Sequence, residues 1–168
     1  MDTDAPSDAS CLWYFAYGSN MQRATFCERR RMQPLEVRWG WLHDHRLCFD
    51  LPVGPGERGV ANVVPFAGER VCGVLYLLTP EEIDRLDATE GVGMGFYRRI
   101  AVAVAAADGE RIEAFAYHSP FSAPGRKPSA RYIGLLLEGA REQGLPDEWL
   151  RLLESFELAL DERESAGG

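Results

Sequence analysis

Leu12-Trp13-Tyr14-Phe15-Ala16-Tyr17 is an unbroken apolar and aromatic run, ended by Gly18 and followed by Ser19-Asn20. A run without polar alternation marks a strand buried on both faces, so the rest of the chain must fold around it. Met21 to Arg31 then carries a helical pattern, with Ser19 or Asn20 placed to cap its first turn.

Strand-like runs follow at Val37 to Leu42, Leu47 to Leu51, Val60 to Pro65 and Val71 to Leu78, separated by Gly and Pro clusters such as Pro52 to Gly59. Phe96 to Ala106 and Arg111 to His118 form a hairpin turning at Asp108-Gly109. Thr79-Pro80-Glu81-Glu82 starts a helix: Thr caps, Pro suits the first helical position, and the third residue, Glu82, reaches back to the cap. Gly91 ends that helix. Ser129 to Gln143 and Asp147 to Leu158 are amphipathic, the first closed by Gly144 and the second preceded by Pro146. Strands outnumber helices. The pattern predicts an α+β domain with a mixed, strongly curved or closed, barrel-like sheet and flanking α-helices.

The 168 residues suit one domain over 11–160, because the polar, small-residue ends at 1–10 and 161–168 offer too little apolar surface to order themselves. A net charge of −8 repels phosphate backbones, which argues against a nucleic-acid partner. Arg29-Arg30-Arg31 runs against that balance, but three arginines ending a helix ordinarily complement its dipole or face solvent. No apolar run reaches the ~20 residues that span a bilayer, so no membrane association is expected. Cys11, Cys27, Cys48 and Cys72 lie far apart without metal-site spacing, and the acidic N-terminus does not read as a signal peptide. The expected setting is cytoplasmic, with reduced thiols and no metal.

Two features carry chemistry. Ile83, Leu86 and Glu90 share one face of the helix begun at Thr79, so a carboxylate stands on the apolar side at the negative end of the helix dipole. Both effects raise its pKa and suit it to acid or base duty near neutral pH. Read alone, Glu90 also fits a terminal glutamate reaching into water. The second feature is the turn at Tyr17-Gly18-Ser19-Asn20, where backbone N–H groups converge and Gly18 permits close approach. The turn suits an anion or a developing oxyanion, and equally an ordinary strand-to-helix connection.

In order and spacing, four segments resemble the γ-glutamylcyclotransferase family: Tyr14-Phe15-Ala16-Tyr17-Gly18-Ser19-Asn20-Met21, Leu86 to Val92 followed by Phe96-Tyr97, Pro128-Ser129-Ala130-Arg131-Tyr132, and Gly144-Leu145-Pro146. The resemblance spans Leu12 to about Phe156. It implies cofactor-independent cyclisation of a small γ-glutamyl substrate, releasing 5-oxoproline and a free amino acid. It implies Glu90 as the acid and base, a substrate cavity formed by Tyr14 to Asn20 with Tyr97, Tyr117 and Tyr132, and a possible homodimer. Tyr97 and Tyr117 fit core aromatics equally well. A γ-glutamyl amine, a biosynthetic γ-glutamyl protecting group, or a non-catalytic binder of a small anion are the alternatives. His43-Asp44-His45 lacks a third ligand and reads as turn or solvent residues, and Cys27 and Cys48 read as small buried hydrophobes.

Overall fold

The computed structural model describes residues 10–160, so the tails expected at 1–10 and 161–168 lie, Ser10 apart, outside the described residues. Five strands are present: β1 (Leu12–Ala16), β2 (Glu36–Pro52), β3 (Gly59–Leu78), β4 (Arg98–Ala106) and β5 (Arg111–His118). They close into a barrel in the order β1-β3-β2-β4-β5. β1 is antiparallel to β3 and parallel to β5, so the apolar opening run is flanked on both edges in a mixed, closed sheet. Phe15 and Ala16 within it are almost fully buried.

The four short runs expected between Val37 and Leu78 are in fact two long strands. β2 continues through His43-Asp44-His45 by a bulge, with Asp44 at φ 57, and pairs with β3 on both sides of it. The polar residues on this stretch do not interrupt the ladder, because each strand satisfies the other's backbone groups beyond the core, and Arg46 pairs with Glu69 at 2.6 Å. Closure requires bare backbone at two points. Gly40 and Gly73 face one another across the ladder. A Cβ on Gly40 would stand 2.6 Å from the Ala105 carbonyl oxygen, and one on Gly73 would stand 2.5 Å from that of Ala16.

Helix α1 (Pro80–Thr89) has the expected capping box: the Glu82 N–H donates to Thr79 Oγ1 at 3.3 Å and the Thr79 N–H to Glu82 Oε1 at 3.2 Å. Gly91, at φ 66, ends it. The hairpin begins two residues later than expected, because a 3₁₀ turn at Val92–Met94 and left-handed Gly95 occupy the approach. Helix α2 (Ala130–Glu142) is capped by Ser129, whose hydroxyl accepts from the Tyr132 N–H at 3.1 Å. Helix α3 (Asp147–Ser155) stops short of Leu158 because Phe156 turns to extended backbone and packs edge-on against Phe49, with ring centroids 4.8 Å apart.

The helix expected over Met21 to Arg31 is replaced by a 3₁₀ turn at Ser19–Met21, an extended Gln22 and a π-helical stretch at Ala24–Arg29, and neither Ser19 nor Asn20 caps it. The cause is local competition. The Tyr76 hydroxyl donates to the Asn20 and Met21 carbonyls at 2.8 and 3.3 Å, while the Asn20 side chain turns inward instead of capping. Among the described residues, no helix is long and apolar enough to cross a membrane.

Candidate active site

The C-terminal end of β1 and the C-terminal end of α1 meet across a cavity of about 210 Å³. That is below the ~300–1,000 Å³ of pockets for drug-sized ligands, so the occupant is small. β1 supplies Tyr14, its continuation supplies Tyr17, Gly18, Ser19 and Asn20, and α1 supplies Glu90 as its C-cap. Tyr97, Tyr117 and Tyr132 complete the expected set. Phe15 and Ala16 do not line the cavity. Strand alternation turns Phe15 to the face opposite Tyr14, where its ring covers Gly73, and Ala16 is held against the backbone of Gly73 in the barrel wall.

The Glu90 side chain is only 15% exposed. Burial pushes its pKa above the ordinary glutamate value, against the opposing effects of the Arg30 guanidinium and of a hydrogen bond from Asn20. That bond runs from Asn20 Nδ2 to Glu90 Oε1 at 3.1 Å, and the same amide nitrogen donates to the Tyr14 hydroxyl oxygen at 2.9 Å. Asn20 thus ties the loop after β1 to the end of α1. A Cβ on Gly18 would lie 3.1 Å from the Tyr132 hydroxyl oxygen, tighter than ordinary contact, so Tyr132 would have to give by a few tenths of an ångström.

The tyrosines divide by where their protons go. Tyr17 donates to the Tyr117 carbonyl, Tyr97 to the Ala61 carbonyl at 3.0 Å, and Tyr117 to Asp87 at 2.6 Å. Asp87 is in turn paired with Arg99. Tyr132 instead accepts from the Ala61 N–H at 3.1 Å, with the Ser19 backbone amide close by, and burial pushes its pKa up to about 12. Tyr14 accepts from Asn20. Among the described residues, the hydroxyl protons of Tyr14 and Tyr132 therefore have no protein acceptor.

Sequence reasoning missed Arg30. It was expected at a helix end or in solvent, yet it lines the cavity with Nη1 3.9 Å from Glu90 Oε1. In a regular helix from the buried Met21, nine residues at about 100° each would place Arg30 on the opposite, outer side. The irregular 3₁₀–π path brings it inward, and no short-range pattern announces that path. Val60 and Ala61, also in the lining, carry no chemical signal in the sequence.

The loops at 52–59 and 91–97 border the cavity. Leu51, Pro52, Met94 and Phe96 form an apolar groove that shares Glu90 and Tyr97 with it. Arg58 and Arg131 line a second groove that shares Val60 and Tyr132. His43 and Asp44 are exposed at the bulge. No cluster of three or more His, Cys, Asp or Glu suited to a metal occurs among the described residues. Cys27 and Cys48 are free and only partly buried, and burial pushes the Cys48 thiol up to about 11.

A family model for the AIG2-like family matches residues 70–153. The chain is 33% identical to gamma-glutamylcyclotransferase of Bos taurus, over 89% of this chain and 81% of the relative. The chain belongs to the γ-glutamylcyclotransferase family. The Homo sapiens gamma-glutamylcyclotransferase is 32% identical, over 93% of this chain and 84% of its own length. A solved structure of a gamma-glutamyl cyclotransferase superposes with a TM-score of 0.78 at 28% identity, covering 88% of this chain and 89% of the other. The barrel with its flanking helices is the fold of this enzyme family, and the chain is an enzyme of it.

Proposed function

We propose that the chain cyclises γ-glutamyl amino acids, with Glu90 shuttling the proton. The observation that carries this reading is a buried carboxylate of raised pKa, held by Asn20 at the wall of a small cavity. The ionised Glu90 takes a proton from the substrate's α-ammonium. The freed amine attacks the γ-carbonyl carbon, forming the ring C–N bond and placing negative charge on the carbonyl oxygen. The Tyr132 hydroxyl and the N–H groups of the Gly18-Ser19-Asn20 loop are the donors for that charge. Protonated Glu90 then returns its proton to the departing nitrogen and the original amide bond breaks; Glu90 takes the second proton from the ring nitrogen and passes it to the freed amine, so that 5-oxoproline and the amino acid, in its ammonium form, leave. No cofactor or metal enters these steps. The wall of tyrosines folds the flexible glutamyl chain for ring closure, where an intramolecular reaction gains its rate.

The leaving group is read as an α-amino acid because Arg58 and Arg131 line the groove that continues from Tyr132, and a carboxylate is the group they suit. The four free cysteines support a reducing, cytoplasmic setting, and the family resemblance supports a homodimer. The test is 5-oxoproline release from γ-glutamyl-alanine, glutathione and γ-glutamyl-butylamine. Fastest release from γ-glutamyl-alanine supports the reading; release from the butylamide alone refutes the amino-acid assignment, and release from none refutes the reaction.

A further inference from the structure

We propose that Arg30 anchors the substrate's α-carboxylate, so that Arg30 and Glu90 together grip the amino-acid head of the γ-glutamyl compound. This rests on the cyclotransferase reaction above. Among the described residues, the guanidinium of Arg30 makes no hydrogen bond, and its Nε and Nη1 are buried without a partner. Arginine carries five N–H donors and no acceptor, and cannot shed its charge to lessen the cost of burial. A buried polar group left unsatisfied costs stability, so its persistence at a cavity wall calls for a ligand that completes it. The nearest carboxylate does not serve: Glu90 Oε1 lies 3.9 Å from Nη1, beyond hydrogen-bond range, and is bonded by Asn20 instead.

The spacing suits the substrate's head. A γ-glutamyl compound bears its ammonium and its carboxylate on one carbon, and the cavity presents a carboxylate and a guanidinium 3.9 Å apart. Charge complementarity admits one orientation, with the ammonium on Glu90 and the carboxylate on Arg30. That orientation delivers the attacking nitrogen to the base that must deprotonate it. It also decides which anion the Gly18-Ser19-Asn20 loop serves: with the carboxylate held by Arg30, the loop and Tyr132 are left for the oxyanion. Arg30 is therefore a substrate-binding residue that selects glutamyl over aminobutyryl amides.

The experiment compares γ-glutamyl-alanine with γ-aminobutyryl-alanine, which lacks the α-carboxylate and cyclises to 2-pyrrolidinone. Both are run with the wild type, Arg30→Gln and Arg30→Lys, alongside calorimetric binding of 5-oxoproline and 2-pyrrolidinone and a thermal melt of each protein. The wild type is expected to prefer the glutamyl substrate by roughly 10- to 100-fold in kcat/KM, the worth of a hydrogen bond to a charged group. Arg30→Gln is expected to remove that preference, mainly through KM, and to weaken 5-oxoproline but not 2-pyrrolidinone. Arg30→Lys should restore part of both. A folded Arg30→Gln that keeps the preference, or loses both substrates equally, overturns the proposal; if Arg30→Gln does not fold, Arg30→Lys with wild-type preference and affinity does the same. If the wild type turns over neither substrate, the reaction fails, and 5-oxoproline binding that is absent or indifferent to Arg30 overturns the anchor separately.

Discussion

Replacing Gly139 by alanine should damage catalysis from outside the cavity. Gly139 lies on α2 and faces the 3₁₀ turn that presents Asn20. A Cβ there would stand 2.5 Å from the Gln22 backbone nitrogen and 2.6 Å from the Met21 carbonyl carbon. Ordinary contact begins at 3.4 Å, so the turn and the helix must separate by about 0.9 Å, the difference between 3.4 and 2.5 Å. Neither side can yield by a rotamer change, because both crowded atoms are backbone. Overpacking of this kind costs about 1–3 kcal/mol, which lowers Tm by roughly 2–12 °C in a domain of this size. The displaced turn carries Asn20 away from Glu90 Oε1, now 3.1 Å distant. A misplacement approaching 1 Å costs on the order of 100-fold in rate. Gly134, on the same helix with nothing within 4 Å of its Cβ position, is the control. Gly134→Ala should raise stability by about 0.5–1 kcal/mol through helix propensity and leave kcat unchanged. The assays are thermal melting and 5-oxoproline release from γ-glutamyl-alanine. Wild-type kcat and Tm in Gly139→Ala would refute the claim that α2 braces the loop.

Two further outcomes follow from the site. As the proposed base, Glu90 would act in its ionised form, and burial raises its pKa, so kcat/KM should fall with decreasing pH at a limb above the ordinary glutamate range. Arg30 and the Asn20 amide oppose that rise, and the hydroxyls of Tyr14, Tyr17, Tyr97, Tyr117 and Tyr132 also sense the Glu90 charge. Arg30→Gln should therefore move the limb to still higher pH; a pH–rate profile with the limb unmoved or lowered contradicts this assignment. Tyr132→Phe removes a donor whose proton has no protein acceptor, and should cut kcat by about 100-fold if it serves the oxyanion. Tyr97→Phe, whose proton is spent on the Ala61 carbonyl, should cost stability more than rate, and the reverse ranking in steady-state kinetics and melting would sink the division.

Much of the frame was legible in the residues. The opening apolar run reads as a central strand buried on both faces, which holds from Tyr14 to Ala16 while Leu12 is exposed, and Thr79-Pro80-Glu81-Glu82 reads as a capped helix start, because both depend on short-range rules. The placement of Glu90 on the apolar face of α1 follows from helical period alone, and the structure buries it as that period requires. What stayed hidden depends on contacts between distant segments. The polar bulge at His43 to His45 reads as a turn until β3 supplies its ladder partner. The irregular path after Asn20 is held by Tyr76 and packs against Gly139, which lie 56 and 119 positions further along the chain. Arg30 enters the cavity only because of that path, so a periodicity argument directed it outward.

The central claim is that Glu90 carries the proton between the substrate's amine and the leaving nitrogen. It is tested most directly by single-turnover release of 5-oxoproline from γ-glutamyl-alanine by Glu90→Gln, beside calorimetric binding of 5-oxoproline. The product has no ammonium to meet Glu90, so its affinity should stay within a few-fold of wild type, while the release rate should fall by about 100- to 10,000-fold. A Glu90→Gln protein that releases 5-oxoproline at the wild-type rate would contradict the account.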